Sequence, residues 1–459
     1  MSSFRYTKNQ DYNPADSISS QGYYKSYPYN GNLSTYSSGD ASDVEGRTVE
    51  PSYRDVLMEF SSEGRRVLSD SAGNELYFES TGFSLDYSDI STNIYITGGL
   101  LGDYIYSGSG DDALYGYDGN DHLNGFDGND IIEGGRGADV IDGGNGINTA
   151  VYWDTSAGVT VNLGLGNAAQ VSAQDANGDI LYNISNLIGG YGADTLTGNA
   201  AANVLTGREG NDTLRGMGGA DTLNGDDGND QLIITDGGSS VHGGRGSDKL
   251  LLQGADSFTF INATFDGIEA VYVAKGATLD LSAVTSGVSI TSQSAIGTSV
   301  AITGTMGADT ISAGKGTDLI HGGAGNDTIK GGSGYALLFG DDGIDTIRAG
   351  AGGATMDGGE GGDRLYGGAA SDTFVFGADI GQDNVYNFQS GSDHLDVSAI
   401  IDSFLDVNIR VVNGKDTLVT FDGVDPAIKF VLRGVSSVQE GDFDFGTQPT
   451  ALAHHDWAI

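Results

Sequence analysis

Counted in nines from Gly98, the chain repeats one pattern: a run of small and polar positions, then a single large apolar residue at position eight. Residues 98–151 hold six such units, 189–251 seven and 304–375 eight, with no slip of register inside a block. Position eight is Ile105, Leu114, Leu123, Ile132, Ile141 and Ala150 in the first block. It is Leu196, Leu205, Leu214, Leu223, Leu232, Val241 and Leu250 in the second. In the third it is Ile311, Ile320, Ile329, Leu338, Ile347, Met356, Leu365 and Phe374. Only Ala150 is small. Positions seven to nine therefore predict a short strand with one side chain facing inward. Thr at position seven (Thr195, Thr213, Thr222, Thr310, Thr328, Thr346) suits the outer face of such a strand. Positions one to six predict a turn, where glycine permits positive φ and exposes carbonyl oxygens. Two units make one coil, and coils stack at about 4.8 Å. One unit cannot bury its apolar residue, but a stack can. The fold class is all-β, a parallel β-roll or β-solenoid in three blocks.

Composition then changes the picture. The 459 residues include 76 Gly, 63 Asp plus Glu and 21 Lys plus Arg, for a net charge of −42. Such a charge opposes compaction unless something neutralises it. Much of it sits at position six of the unit. The first block places Asp103, Asp112, Asp121, Asp130 and Asp139 there, and the second Asp194, Asp212, Asp221, Asp230 and Asp248. The third has Asp309, Asp318, Asp327, Asp345, Asp363 and Asp372. Units two apart share one side of the roll, so these carboxylates form files roughly 5 Å apart, close enough to repel strongly. A hard cation between turns converts repulsion into cohesion. It takes oxygens from these aspartates and from backbone carbonyls at glycine positions, the fourth included: Gly110, Gly119, Gly128, Gly137, Gly210, Gly228, Gly307, Gly316, Gly325 and Gly343. Six or more oxygens in flexible geometry select Ca2+ over magnesium or zinc, and on the order of ten ions follow if stacked turns share them. Asn148, Asn203, Ser239, Ala336 and Ala354 replace the aspartate, so their sites are expected to be weak or empty.

This motif resembles the nonapeptide of the repeats-in-toxin (RTX) family, the hemolysin-type repeat, over residues 98–376. The resemblance implies a calcium-filled β-roll. Residues 372–400, with Gly381, Asp383, Val385 and Phe388, then Gly391, Asp393, Leu395 and Asp396, resemble the module that closes such proteins. That implies an uncleaved C-terminal signal for a type I secretion apparatus. It would account for an N-terminus without the charged-then-apolar pattern of a signal peptide. A chain that folds only with calcium stays unfolded in the cytosol and folds outside, secreted or at the cell surface.

The expected organisation is a Ser/Tyr-rich tail at 1–40, a small segment at 41–97, and roll blocks at 98–151, 189–251 and 304–376. Between the blocks lie β inserts at 152–188 and 252–303, and residues 377–459 form the closing module. The second insert resembles solenoid segments of bacterial surface-layer proteins. Residues 56–79 suggest a hairpin or a helix–turn–strand.

The search for catalytic chemistry is short. The sequence has no HExxH, no GxSxG and no cysteine, which removes the zinc-protease, lipase-elbow and thiol routes. His122, His242 and His321 fall on the outer strand face, and His454 and His455 in a tail. No basic patch offers itself to nucleic acid, and no apolar run approaches the roughly 20 residues of a membrane span. Three functions compete. The favoured one is a non-enzymatic structural subunit of a surface layer, matrix or filament, which self-associates and could contact cell-surface polysaccharide. The others are a soluble secreted effector acting on hosts or membranes, and a polysaccharide-acting enzyme with an unrecognised catalytic region.

Overall fold

The computed structural model describes residues 57–60, 66–69, 75–78 and 84–446, apart from 90, 154–155, 167, 173 and 378–380. The Ser/Tyr-rich tail, His454 and His455 lie outside the described residues. Residues up to 188 and residues from 189 onward form separate compact units.

In the first unit, parallel strands stack in two files. One file runs Ser84–Asp86, Tyr104–Tyr106, His122–Asn124, Val140–Asp142 and Ile180–Tyr182. The other runs Tyr95–Gly99, Ala113–Tyr117, Ile131–Glu133, Thr149–Val151 and Asn186–Ile188. Register keeps position eight over position eight: Ile105 on Leu123, Leu123 on Ile141, Leu114 on Ile132. These side chains are fully buried, so the core is a column one residue wide per strand. Leu57–Phe60, Arg66–Ser69 and Glu75–Phe78 form an antiparallel meander, the hairpin alternative for 56–79.

The second unit repeats the scheme. One file continues from Thr195–Thr197 through Thr213–Arg215, Gln231–Ile234 and Lys249–Leu252 to Ala270–Val273, Ser289–Ser292 and Thr310–Ser312. It then passes Thr328–Lys330, Thr346–Arg348 and Arg364–Tyr366 to Gln382–Tyr386. The facing file has the runs Val204–Glu209, Thr222–Gly228 and Ser240–Gly246, and later Thr278–Ala283, Ser299–Thr303, Thr317–His321, Ala336–Phe339, Ala354–Asp357, Thr373–Val375 and His394–Asp396.

The two interruptions of the repeat thus extend the stacks. Ile180 pairs with Val140 across a long excursion, and Lys249, Ala270, Ser289 and Thr310 pair in sequence with uneven spacing. Leu181, Leu187, Val271 and Ile290 are buried where position eight belongs. Parallel pairing tolerates a longer turn as long as inward side chains keep their alternation. At the C-terminus, Val407–Val412, Asp416–Phe421 and Lys429–Arg433 form an antiparallel meander whose last strand pairs in parallel with Gln382–Tyr386. No helix among the described residues is long and apolar enough to cross a membrane.

Leu214 sits in the column between Leu196 and Leu232. Leu214→Ala removes most of a fully buried side chain, and an expected cost of about 2–5 kcal/mol follows. Denaturant unfolding in saturating calcium measures it, and a cost under about 1 kcal/mol would show that the column does not carry the stack.

Candidate metal centres

The position-six aspartates are built into the turns by two different bonds. All are at most 2 % exposed. Through Oδ1, each interior aspartate accepts the backbone N–H of position six one coil back. Asp103 N donates to Asp121 at 2.6 Å, Asp121 to Asp139 at 2.8 Å and Asp112 to Asp130 at 2.8 Å. The series resumes with Asp194 to Asp212, Asp212 to Asp230 and Asp230 to Asp248, at 2.7 to 2.8 Å. It recurs at 2.7 Å from Asp309 through Asp327 and Asp345 to Asp363. A carboxylate that accepts a backbone donor in each turn locks the register of successive coils.

The second oxygen divides the units into two kinds. In the first two units of a block, Oδ2 accepts the N–H of position two in its own turn. Gly99 to Asp103, Gly108 to Asp112, Gly190 to Asp194, Thr305 to Asp309 and Gly314 to Asp318 close this way. Gly368 to Asp372 does the same near the far end. In interior units the turn is open. Oδ2 of Asp130, Asp139, Asp212, Asp221, Asp230, Asp248, Asp327, Asp345 and Asp363 is buried with no hydrogen-bond partner.

The backbone explains the split. In most open turns position two has flipped to positive φ. Where it is not glycine it still does so: Tyr117 (φ 70°), Phe126 (63°), Arg208 (80°), Met217 (79°), Asp226 (69°) and Asp341 (66°). Six bulky or charged residues in a region that favours glycine represent stored strain, which persists where something else repays it. The sequence carries no signal for this flip, because glycine is only one of the residues found at position two.

Glycine at position one lines the same space. A Cβ at Gly125 would lie 2.1 Å from Asp130 Oδ2 and 2.9 Å from the Gly143 carbonyl oxygen. At Gly225 the distances are 2.4 Å to Asp230 Oδ2 and 2.5 Å to the Gly243 oxygen, and at Gly340 both Asp345 Oδ2 and the Gly358 oxygen are 2.3 Å away. A side chain at position one would therefore collide with both a carboxylate oxygen and a carbonyl oxygen, so glycine keeps the space beside Oδ2 open. Position one was not singled out in the sequence. Position four shows a steric role: a Cβ at Gly137 would lie 1.4 Å from the Gly119 oxygen, at Gly228 1.5 Å from Gly210, and at Gly343 1.5 Å from Gly325. Gly119, Gly128, Gly137, Gly210, Gly325 and Gly343 have positive φ. Gly110, Gly307 and Gly316, in closing turns, contact Asn93, Gly287 and Thr298 of the preceding coil instead.

Among the described residues no three His, Asp or Glu side chains form a cluster that could hold an ion by themselves. The donor set is different: two carboxylates from successive turns with backbone oxygens around them. Two of the substituted positions keep the locking bond without the charge: Asp130 N donates to Asn148 and Asp221 N to Ser239, while Asn203 keeps the closing bond of its own turn, accepting from Asn199 N. Ala336 and Ala354 offer no acceptor. The histidines are engaged otherwise: His122 stacks on Tyr104, and His242 and His321 pair through Nδ1 with Asp266 and Asp341.

Burial raises these carboxyls from 3.8 to about 7 for Asp130, Asp139, Asp212 and Asp327, to about 8 for Asp345, and to about 6 for Asp221, Asp230 and Asp363. Neighbouring aspartates add to the rise for several. A buried, donor-poor oxygen pair of this kind fits a hard divalent cation, which would favour the charged form.

The units match a family model described as the RTX calcium-binding nonapeptide repeat, at residues 97–125, 119–150, 186–214, 197–232, 303–338, 339–374 and 350–382. The chain carries RTX repeats. RTX repeats bind calcium. No curated protein sequence matches the chain. Two similar solved structures are a subunit of the Azotobacter vinelandii mannuronan C5-epimerase and the extracellular lipase of Serratia marcescens. The first is 22 % identical with a TM-score of 0.18, covering 34 % of this chain and 83 % of that one. The second is 21 % identical with a TM-score of 0.24, covering 55 % of this chain and 40 % of the lipase. The RTX units here, and no catalytic chemistry, are what the family match describes.

In calcium-free buffer the sign of the pH effect is fixed. The folded-state carboxyls bind protons more tightly than the unfolded ones, so stability is present below about pH 4 and is lost as pH rises through the folded values of about 6 to 8. Circular dichroism in chelator is expected to show β-structure fading from about pH 4 to about pH 8, and calcium is expected to abolish that loss. A pH-independent signal in chelator would contradict the burial of these groups.

Proposed function

We propose that this is a secreted protein that folds when its RTX turns bind calcium outside the cell, and that it serves there as a non-enzymatic structural subunit of a surface layer, matrix or filament. The observation that carries the reading is the run of buried Oδ2 atoms without donors along the interior turns. In water with little calcium, these oxygens force the coils apart or demand protons. With calcium, the same oxygens bind the coils together, so the fold reports the compartment. The net charge of −42 sharpens the contrast.

The structural role is supported by how the chain spends its residues. Most of the described length builds stacked coils, and the inserts and C-terminal meander continue the same sheets. Outer strand faces with aligned Thr rows, such as the exposed Thr310 and the half-buried Thr328 and Thr346, present long regular surfaces suited to neighbouring copies or to polysaccharide. Export by a type I apparatus through the C-terminal module belongs to the same proposal.

Light scattering and circular dichroism across a calcium titration, with magnesium as control, test it. β-Structure followed by growth of ordered particles is the expected result. Folding without any growth at millimolar calcium would remove the structural-subunit role and leave calcium-dependent folding; no response to calcium would remove both.

A further inference from the structure

The locking bond does not stop at the last recognised unit. Asp363 N donates to Asp383 Oδ1 at 2.9 Å, although Asp383 stands outside the repeat blocks. Around it the geometry of an RTX turn is reproduced piece by piece. Asn384 N donates to the Asp363 carbonyl at 2.8 Å, as Arg364 N does to Asp345 at 2.9 Å. A Cβ at Gly381 would lie 1.5 Å from the Gly361 oxygen, as one at Gly361 would lie 1.6 Å from Gly343. Val385 pairs with Leu365 and is fully buried in the column. Gly381, Asp383 and Val385 therefore occupy positions four, six and eight of a degenerate unit. Its coil is two residues longer than the usual one, as the pairing of Arg364 with Asn384 shows against that of Thr346 with Arg364.

Asp383 is 1 % exposed and Asp363 is 0 % exposed. Both Oδ2 atoms are buried without a donor. Asp363 adds charge beside Asp383, and Asp357, 3 % exposed, adds charge to both. A Cβ at Gly358 would lie 2.2 Å from Asp363 Oδ2, so the position-one cradle is present as well. Two buried carboxylates on successive coils, each with an Oδ2 that no donor meets, match the donor set of the interior RTX turns.

The next strand ends the series. Phe430 pairs with Asp383 in register, so the following position six is aromatic. Phe430 stacks on Phe376 with ring centroids 3.8 Å apart. The carboxylate file gives way to an apolar cap at this one step.

We infer that Asp363 and Asp383 hold a calcium ion that docks the C-terminal meander, residues 407–433, onto the last RTX coil. This rests on the reading that the RTX turns bind calcium. The ion bridges the two carboxylates, and Gln382–Tyr386 in turn offers its free edge to Lys429–Arg433. Docking of the cap is thereby made dependent on calcium through a residue that no nonapeptide contains.

Hydrogen exchange of the full-length chain across a calcium titration tests this in Asp383→Asn. The amide keeps an Oδ1 acceptor for Asp363 N, as Asn148 does for Asp130, so the coil retains its register. The expected result is a midpoint for protection of 382–386 and 429–433 about tenfold higher in calcium, with peptides of 310–348 unchanged. Asp396→Asn, at a half-buried aspartate that accepts from Ser398 N, is the control and is expected to leave both midpoints alone. An unchanged midpoint for the cap in Asp383→Asn overturns the inference, as does full protection of the cap in chelator. If 310–348 in the unaltered protein ignores calcium, the underlying reading falls, which is a separate and visible outcome.

Discussion

Everything in this molecule turns on the burial of carboxylates at a spacing set by the backbone. Parallel strands fix the distance between coils, and a strict repeat puts an aspartate at the same place in every coil. One oxygen satisfies a backbone donor and ties two turns together. The other is then carried into a dry space facing the next turn, where charge cannot be tolerated alone. The apolar column gives the coils their shape, while the carboxylates decide under which conditions that shape is stable.

The same constraint accounts for the departures from regularity. A turn at the start of a block has no counted RTX unit one coil behind it, and its own position-two amide folds over Oδ2, as Gly99 does on Asp103. An interior turn opens, and residues as large as Arg208 and Phe126 accept positive φ. Units with identical-looking motifs are thus unequal, and the difference comes from their neighbours. Asn148, Asn203 and Ser239 keep the neutral half of the arrangement and drop the charged half.

Much of this was legible in the sequence, because a nine-residue period with Leu or Ile at position eight admits few other folds. The aspartates at position six were legible for the same reason. The flip at position two was not, since it depends on the turn before and leaves no residue preference behind. The second insert was legible as solenoid-like, but its register was hidden because Ala270 and Ser289 meet their partners at uneven spacing, so counting in nines loses them. Ser84–Asp86 joins the stack ahead of the first counted unit for a similar reason: its loop lacks the motif, and only Leu85 over Ile105 shows its place. Asp383 was visible as part of the closing module, but its two extra residues and missing first glycines disguised its position in the file.

The eighteen-residue register inside the repeat blocks, as in Thr195 over Thr213 and Thr213 over Gln231, has a consequence for how such a chain changes over generations. Excising one whole coil brings together two surfaces that already match, since each coil touches only the one before and the one after. Losing a single residue within a strand turns the column inside out. Length is therefore a quantity that recombination between coils can adjust freely, in steps of one coil, while the interior of each step is held almost fixed.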